Sequence, residues 1–308
     1  VAAVLFVAGV CLLALPGAGW RLGRRLAPAE WSRFCVAALL AGAVMVEVSL
    51  ALYALPTVLR LLGAHELAHV CERMLPGGAP LSVPAVAGAV LTPMLAARGA
   101  LRASRQQRAV HVEGCVGEHR RCGDHDLVVL PTDSVLAFCA HGRPPQVVVS
   151  EALVRSLSPD ELDAVLRHEA AHLAHRHHRF LLMASTLEAG LGVLPYVRRS
   201  TAVLRTSLER WADEAAAGTG DASRATLRRA LAGVTAAGVS RAVAAFSAED
   251  TVAERLDALG GDPPRPSLLR RLAAYAPALV VCTVVIAALR LWGGEFGHLV
   301  ARAGHCPS

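Results

Sequence analysis

Long apolar runs constrain this chain more than any other feature. They lie at residues 1–15, 34–62, 81–97 and 272–292, with a mixed, charged stretch between the third and the fourth. The second is interrupted only by Glu47 and Arg60, and a run of its length can cross a bilayer with some tilt. An ordinary water-soluble globule has no place for such segments. With 54% hydrophobic residues and a mean hydropathy of +0.44, disorder is excluded as well. The expected organisation is a membrane region at 1–108 with three spans, an inserted domain at 109–266, and a fourth span with a short tail at 267–308. Glu47, a carboxylate inside an apolar span, is either functional or else protonated or packed against another span.

Charge orients these segments. Arg21, Arg24, Arg25 and Arg33 follow the first run, Arg60 and Arg73 the second, and Arg98, Arg102, Arg105 and Arg108 the third. The positive-inside rule then places the N-terminus outside and the central domain in the cytoplasm of a multi-pass cell-membrane protein. Those flanking arginines account for the net charge of +6 without nucleic acid, so no direct nucleic-acid binding is expected. The eight cysteines have no C-x2-C spacing and read as ordinary thiols. The stretch at 180–197 is short for a span and reads as a buried or interfacial helix. Val-rich strands are expected around 126–130 and 146–149, with an exposed edge able to take a substrate backbone.

The chemistry concentrates in the central stretch. Ser158-Pro159-Asp160-Glu161 carries a helix start: a capping hydroxyl, a proline at the first turn and a glutamate three residues on. The helix it opens carries His168-Glu169-Ala170-Ala171-His172. Two histidines four apart share one helical face and can bind one cation, with Glu169 about 100° round the helix as general base. Downstream, Glu209 can complete a His2Glu set, and Asp213, one turn later, can orient a ligand histidine through its other ring nitrogen. Glu214 is expected to face solvent. His175, His177 and His178 read mainly as a solvated or membrane-surface cluster, and Tyr196 is a weaker candidate. A second copy of the motif, His65-Glu66-Leu67-Ala68-His69, ends the second apolar run. Roughly 0.03 such motifs per chain arise by chance at this composition, and this copy reads as a polar, interfacial helix end.

The run from Leu157 to Leu173, the Glu209-x-x-Ala212-Asp213 segment and the strand-like stretch at 127–150 resemble the integral-membrane gluzincins. The span arrangement is most similar to the BlaR/MecR-type antirepressor peptidases, in a short form without the penicillin-binding sensor domain. The resemblance implies a mostly α membrane protein of about four transmembrane helices with an inserted α+β zincin-like (minigluzincin) domain. It also implies one zinc ion held by His168, His172 and Glu209, with Glu169 as catalytic base. The expected activity is that of a zinc metalloendopeptidase embedded in the lipid bilayer, acting on a protein or peptide such as a winged-helix transcriptional repressor. Two other readings remain. One is an HtpX/CAAX-type quality-control protease, where two hydrophobic spans would separate the metal helix from the third ligand. Here only 36 residues separate His172 from Glu209. The other is a non-catalytic membrane signalling scaffold.

Overall fold

The computed structural model describes residues 2–74, 82–109, 118–236 and 249–262, with scattered positions between 272 and 294. The described chain is mostly helical, with one small sheet. The helices are α1 (Ala2–Ala18), α2 (Trp20–Gly23), α3 (Pro28–Leu61), α4 (His65–Met74) and α5 (Ser82–Ala109). The strands β1 (Glu118–Cys122), β2 (His125–Leu130), β3 (Ala137–Ala140) and β4 (Gln146–Ser150) follow. Then come α6 (Glu151–Ser156), α7 (Pro159–Ala174), α8 (His177–Leu191), α9 (Pro195–Ala217), α10 (Asp221–Ala236) and α11 (Glu249–Gly260).

Two of these helices, α3 and α5, are long and apolar enough to cross a membrane, and α1 is a shorter apolar helix. The expected fourth span at 272–292 lies for the most part outside the described residues. Helix α5 leaves Val83, Val90, Leu91, Met94, Leu95 and Leu101 exposed. An apolar face of that extent needs a non-aqueous neighbour. Helices α1 and α3 pack backbone to backbone where two glycines meet. A Cβ on Gly42 would stand 2.7 Å from the Gly9 carbonyl oxygen, and one on Gly9 would stand 2.9 Å from the Gly42 carbonyl oxygen. Small residues at such crossings let apolar helices approach closely where no water is present to drive them together.

The apolar core runs from these helices into the rest of the described chain. Leu13, Trp31, Cys35 and Leu39 of α1 and α3 share one cluster with Ala184, Leu187 and Leu191 of α8 and with Val197, Leu204, Leu208 and Trp211 of α9. Buried polar pairs fix the same joint. Ser200 Oγ accepts from Gly17 N at 3.0 Å, Ser207 Oγ donates to the Pro28 carbonyl at 3.1 Å, and the Ser32 and Ser207 hydroxyls lie 2.8 Å apart. Arg210 donates to the Arg24 carbonyl at 3.1 Å, and Trp20 Nε1 donates to Glu254 on α11 at 3.2 Å. The basic connection after α1 therefore lies at the same end of α3 as α9 and α11, while α4 lies at the other end. Helix α8, formed by the stretch expected at 180–197, packs against α5 and α9. Its Glu188 carboxylate is neutralised by Arg205 of α9 and accepts from Thr201.

The sheet has the order β1-β2-β4-β3, with β2 and β4 parallel and the outer pairs antiparallel. The two Val-rich strands expected from sequence are both present, but both are interior. Every residue of β4 is buried. The edge expected near Val147–Val149 is instead β3, a four-residue strand packed beside α7. The correction has a plain cause: a run of valines signals burial on both faces, which is the environment of a central strand.

Substituting Gly42→Val should destabilise the α1–α3 pair by about 1–3 kcal/mol, because the opposing atom is backbone and cannot turn away. Thermal unfolding of the detergent-purified protein measures this, and an unchanged midpoint would contradict the close packing.

Candidate active site

Helix α7 begins as the sequence dictates. Ser158 Oγ accepts from Glu161 N, and the Glu161 carboxylate accepts from Ser158 N at 3.0 Å, a complete capping box with Pro159 in the first turn. That start fixes the helical phase. Ala164, His168, Ala171 and His172 face inward. The helix ends at a reversal in which Arg176 adopts left-handed geometry, φ +55°. A branched-chain or bulky residue there costs about 1–2 kcal/mol. The turn points α8 so that its first residue, His177, reaches back to His172.

Helix α9 brings the third donor. His168 Nε2 and His172 Nε2 are 3.2 Å apart, and each lies 3.6 Å from a Glu209 carboxylate oxygen. Among the described residues this is the one histidine, cysteine and carboxylate group whose donor atoms converge in this way. Bonds of about 2.0–2.1 Å at tetrahedral angles would span roughly 3.3–3.4 Å between donors, so the three atoms already stand near the spacing that zinc requires.

The surrounding hydrogen bonds decide which nitrogens are free. His168 Nδ1 lies 2.9 Å from Asp213 Oδ1, and His172 Nδ1 lies 2.9 Å from His177 Nδ1. With both Nδ1 atoms turned toward these partners, both Nε2 atoms face each other and Glu209. That arrangement suits a cation, whether a metal ion or, in its absence, a proton on His168. Asp213 is held in turn by Arg255 of α11 through two bonds of 2.8 Å, and Arg255 also lies 3.2 Å from Glu209.

Charge follows from these contacts. Burial opposes ionisation of Asp213, but the Arg255 charge and its hydrogen bonds hold the carboxyl at about 2. Glu209 is likewise penalised by burial and still held well below the carboxylate range by His172, Arg255 and His168. Burial alone would lower His168, yet its bonds to Asp213 and Glu209 raise it to about 10, so a proton occupies the ring when no metal does. Burial lowers His172 to about 4. Burial pushes Glu169 up to about 7, against the pull of the His168 charge. A carboxyl poised there can both take and give a proton near neutral pH.

Three residues of the neighbourhood were not legible in the sequence or were read differently. Arg255 gives no motif signal, being one arginine in the amphipathic α11. His177, expected in a solvated cluster, is fully buried and packs 4.9 Å from the Trp211 ring, while His175 lies 4.8 Å from the same ring. Glu214, expected in solvent, pairs with the buried Arg224 at 2.6 Å. The indole of Trp211 is capped on another side by the Arg33 guanidinium, 5.1 Å from its centroid. Tyr196 packs against the apolar core. From β3, Cys139 senses the site. Burial pushes its thiol well above the usual value, and Glu169 and Glu209 add to the effect. His141, just past β3, stacks on His178 with ring centroids 3.8 Å apart.

Residues 102–261 match the model of peptidase family M48. The chain belongs to peptidase family M48. The matched stretch contains His168, Glu169, His172, His177, Glu209, Asp213 and Arg255, together with β1–β4 and α6–α11. M48 members are zinc metallopeptidases, and HtpX proteins are among them. A curated relative, "Protease HtpX homolog" of Methanocaldococcus jannaschii, is 38% identical over 68 residues. The matched stretch spans 21% of this chain and 22% of that relative's length. No solved structure matches the chain significantly.

Two substitutions test the network. Asp213→Asn should weaken zinc affinity about 10–100-fold by loosening His168, as read by chelator competition. Arg255→Met should cost about 3–5 kcal/mol of stability, because it leaves the Asp213 carboxylate buried without its partner. Thermal unfolding reads the second effect, and a wild-type midpoint would show that the clamp is not structural.

Proposed function

We propose that this M48 chain is an integral-membrane zinc endopeptidase in which His168, His172 and Glu209 hold the metal and Glu169 is the catalytic base. The observation that carries the reading is the convergence of three metal-type donors whose outer nitrogens are already tied to Asp213 and His177. A non-catalytic scaffold has no need of a half-buried carboxyl raised to about 7 beside such a set.

Bound zinc would supply Lewis acidity and favour deprotonation of water at neutral pH. Glu169 takes the proton from the attacking water and returns it to the leaving amine as the peptide bond breaks. Asp213 and Arg255 hold His168 in its ligand orientation and keep Glu209 ionised. The free edge of β3, beside α7, offers backbone hydrogen bonds to an extended substrate segment with little demand on its sequence. Lipid covers the exposed apolar faces of α1 and α5.

For the substrate we favour a cytoplasmic regulatory protein, such as a winged-helix repressor. Support comes from the short connection between the metal helix and Glu209, which holds the 15-residue helix α8 and the first part of α9, neither of them a helix long and apolar enough to cross a membrane. The likeness to an HtpX homologue favours a second reading, an HtpX/CAAX-type membrane protease in protein quality control or processing. Incubating the purified protein with a repressor and, separately, with a destabilised membrane protein discriminates between the two.

Glu169→Gln should lower turnover at least about 100-fold while zinc content stays at one per chain. The base works only when deprotonated, so kcat/KM should fall as pH drops through an acidic limb no higher than about pH 7, since a nearby cation can only lower that limb further. Retained cleavage in Glu169→Gln would overturn the assignment.

A further inference from the structure

The second His-Glu-x-x-His motif is not absorbed by this chemistry. It lies on α4, at the far end of α3 from the joint with α9. Helix α3 has 34 residues, so about 50 Å separates its two ends, and His65 and His69 cannot reach the donors on α7 and α9. The motif also differs from the first in its surroundings. Helix α4 buries Ala68 and Cys71 and leaves His65, Glu66 and His69 exposed.

The exposed face has a metal-binding pattern of its own. His65, His69 and Glu72 are spaced by four and three residues, which puts them within about 60° of one helical stripe. Histidines one turn apart have Cβ atoms about 5–6 Å from each other, close enough for two exposed, freely turning imidazoles to chelate one ion. His69 Nδ1 already lies 3.8 Å from a Glu72 carboxylate oxygen. Arg60, at 2.6 Å from that carboxylate, fixes its position from α3. Glu66, His69 and Glu72 line one open concavity together with Arg73.

We propose that α4 is a second transition-metal site, with His65 and His69 as ligands and Glu72 beside them, taking a borderline divalent ion such as Cu2+ or Zn2+. Imidazole pairs select these ions over Mg2+ or Ca2+, and Cu2+ leads the affinity order for nitrogen donors. Among the described residues, His69 Nδ1 has only the 3.8 Å approach of Glu72, longer than the 2.9 Å contacts that Asp213 and His177 make to the histidines of α7. The α4 site is therefore the weaker and more exchangeable of the two. If α3 crosses the bilayer, this ion is bound on the side opposite the peptidase site, at the end of the helix whose other end abuts α9.

The test uses the full-length chain in detergent, with His168→Ala and His172→Ala removing the first site. Titration with Cu2+, followed by electron paramagnetic resonance, should show one saturable equivalent with nitrogen hyperfine structure. Adding His65→Ala and His69→Ala should abolish it. In a chain with the first site intact, the α4 pair alone should be dispensable for peptidase activity. Absence of a saturable Cu2+ equivalent, or one that survives His65→Ala and His69→Ala, overturns the proposal.

Discussion

The Arg255–Asp213 clamp is the constraint on which the site depends. Asp213 and Glu209 stand one turn apart on α9, both directed into the protein beside Glu169. Three carboxyl groups so close, Asp213 buried and Glu209 and Glu169 half-buried, cannot all stay ionised unless positive charge is placed among them. Arg255 supplies that charge with a rigid planar fork, two bonds to Asp213 and a third contact to Glu209. Asp213 is then free to hold His168, and Glu209 stays a carboxylate able to share a cation. Glu169, with no ion pair to the described residues, takes the burial penalty as a raised pKa. In the proposed mechanism, one guanidinium thus separates two carboxylates that act by staying charged from one that acts by exchanging a proton.

The position of that clamp depends on how α9 is mounted. Its first half packs on α1 and α3, through Ser200, Ser207 and the apolar cluster around Leu204 and Leu208. Its second half carries Glu209, Trp211 and Asp213. The apolar helices and the peptidase residues therefore share one packed element. Trp211 joins the two halves, with Arg33 from α3 over its ring and the histidines at the α7–α8 turn packed around it. Interiors of this density are not continuously deformable, so a displacement of α3 against α9 would be felt at Glu209.

Much of the site was legible because its signals are local. The capping box fixes where α7 starts, and the four-residue spacing then forces His168 and His172 onto one face whatever the rest of the chain does. The same spacing pairs Glu209 with Asp213. Long apolar runs foretold α1, α3 and α5, with α3 starting earlier and α5 extending further than the runs themselves, since polar turns such as Pro28-Ala29-Glu30 and Arg102–Arg105 continue a helix without being apolar. The edge strand was misplaced because valine content reports burial and not position in a sheet. Only pairing decides that β3 closes the sheet beside α7.

Sequence by itself determined the helical phase, the donor types and the apolar lengths, because each is set by residues within one or two turns of each other. Tertiary structure decided which second copy of a motif stands alone, which histidine backs His172, and which arginine neutralises Asp213. Arg255 lies 42 residues from Asp213. No periodicity couples positions so far apart; the partnership exists because burying the Asp213 charge is costly, and the fold that brings α11 against α9 is the one that removes that cost.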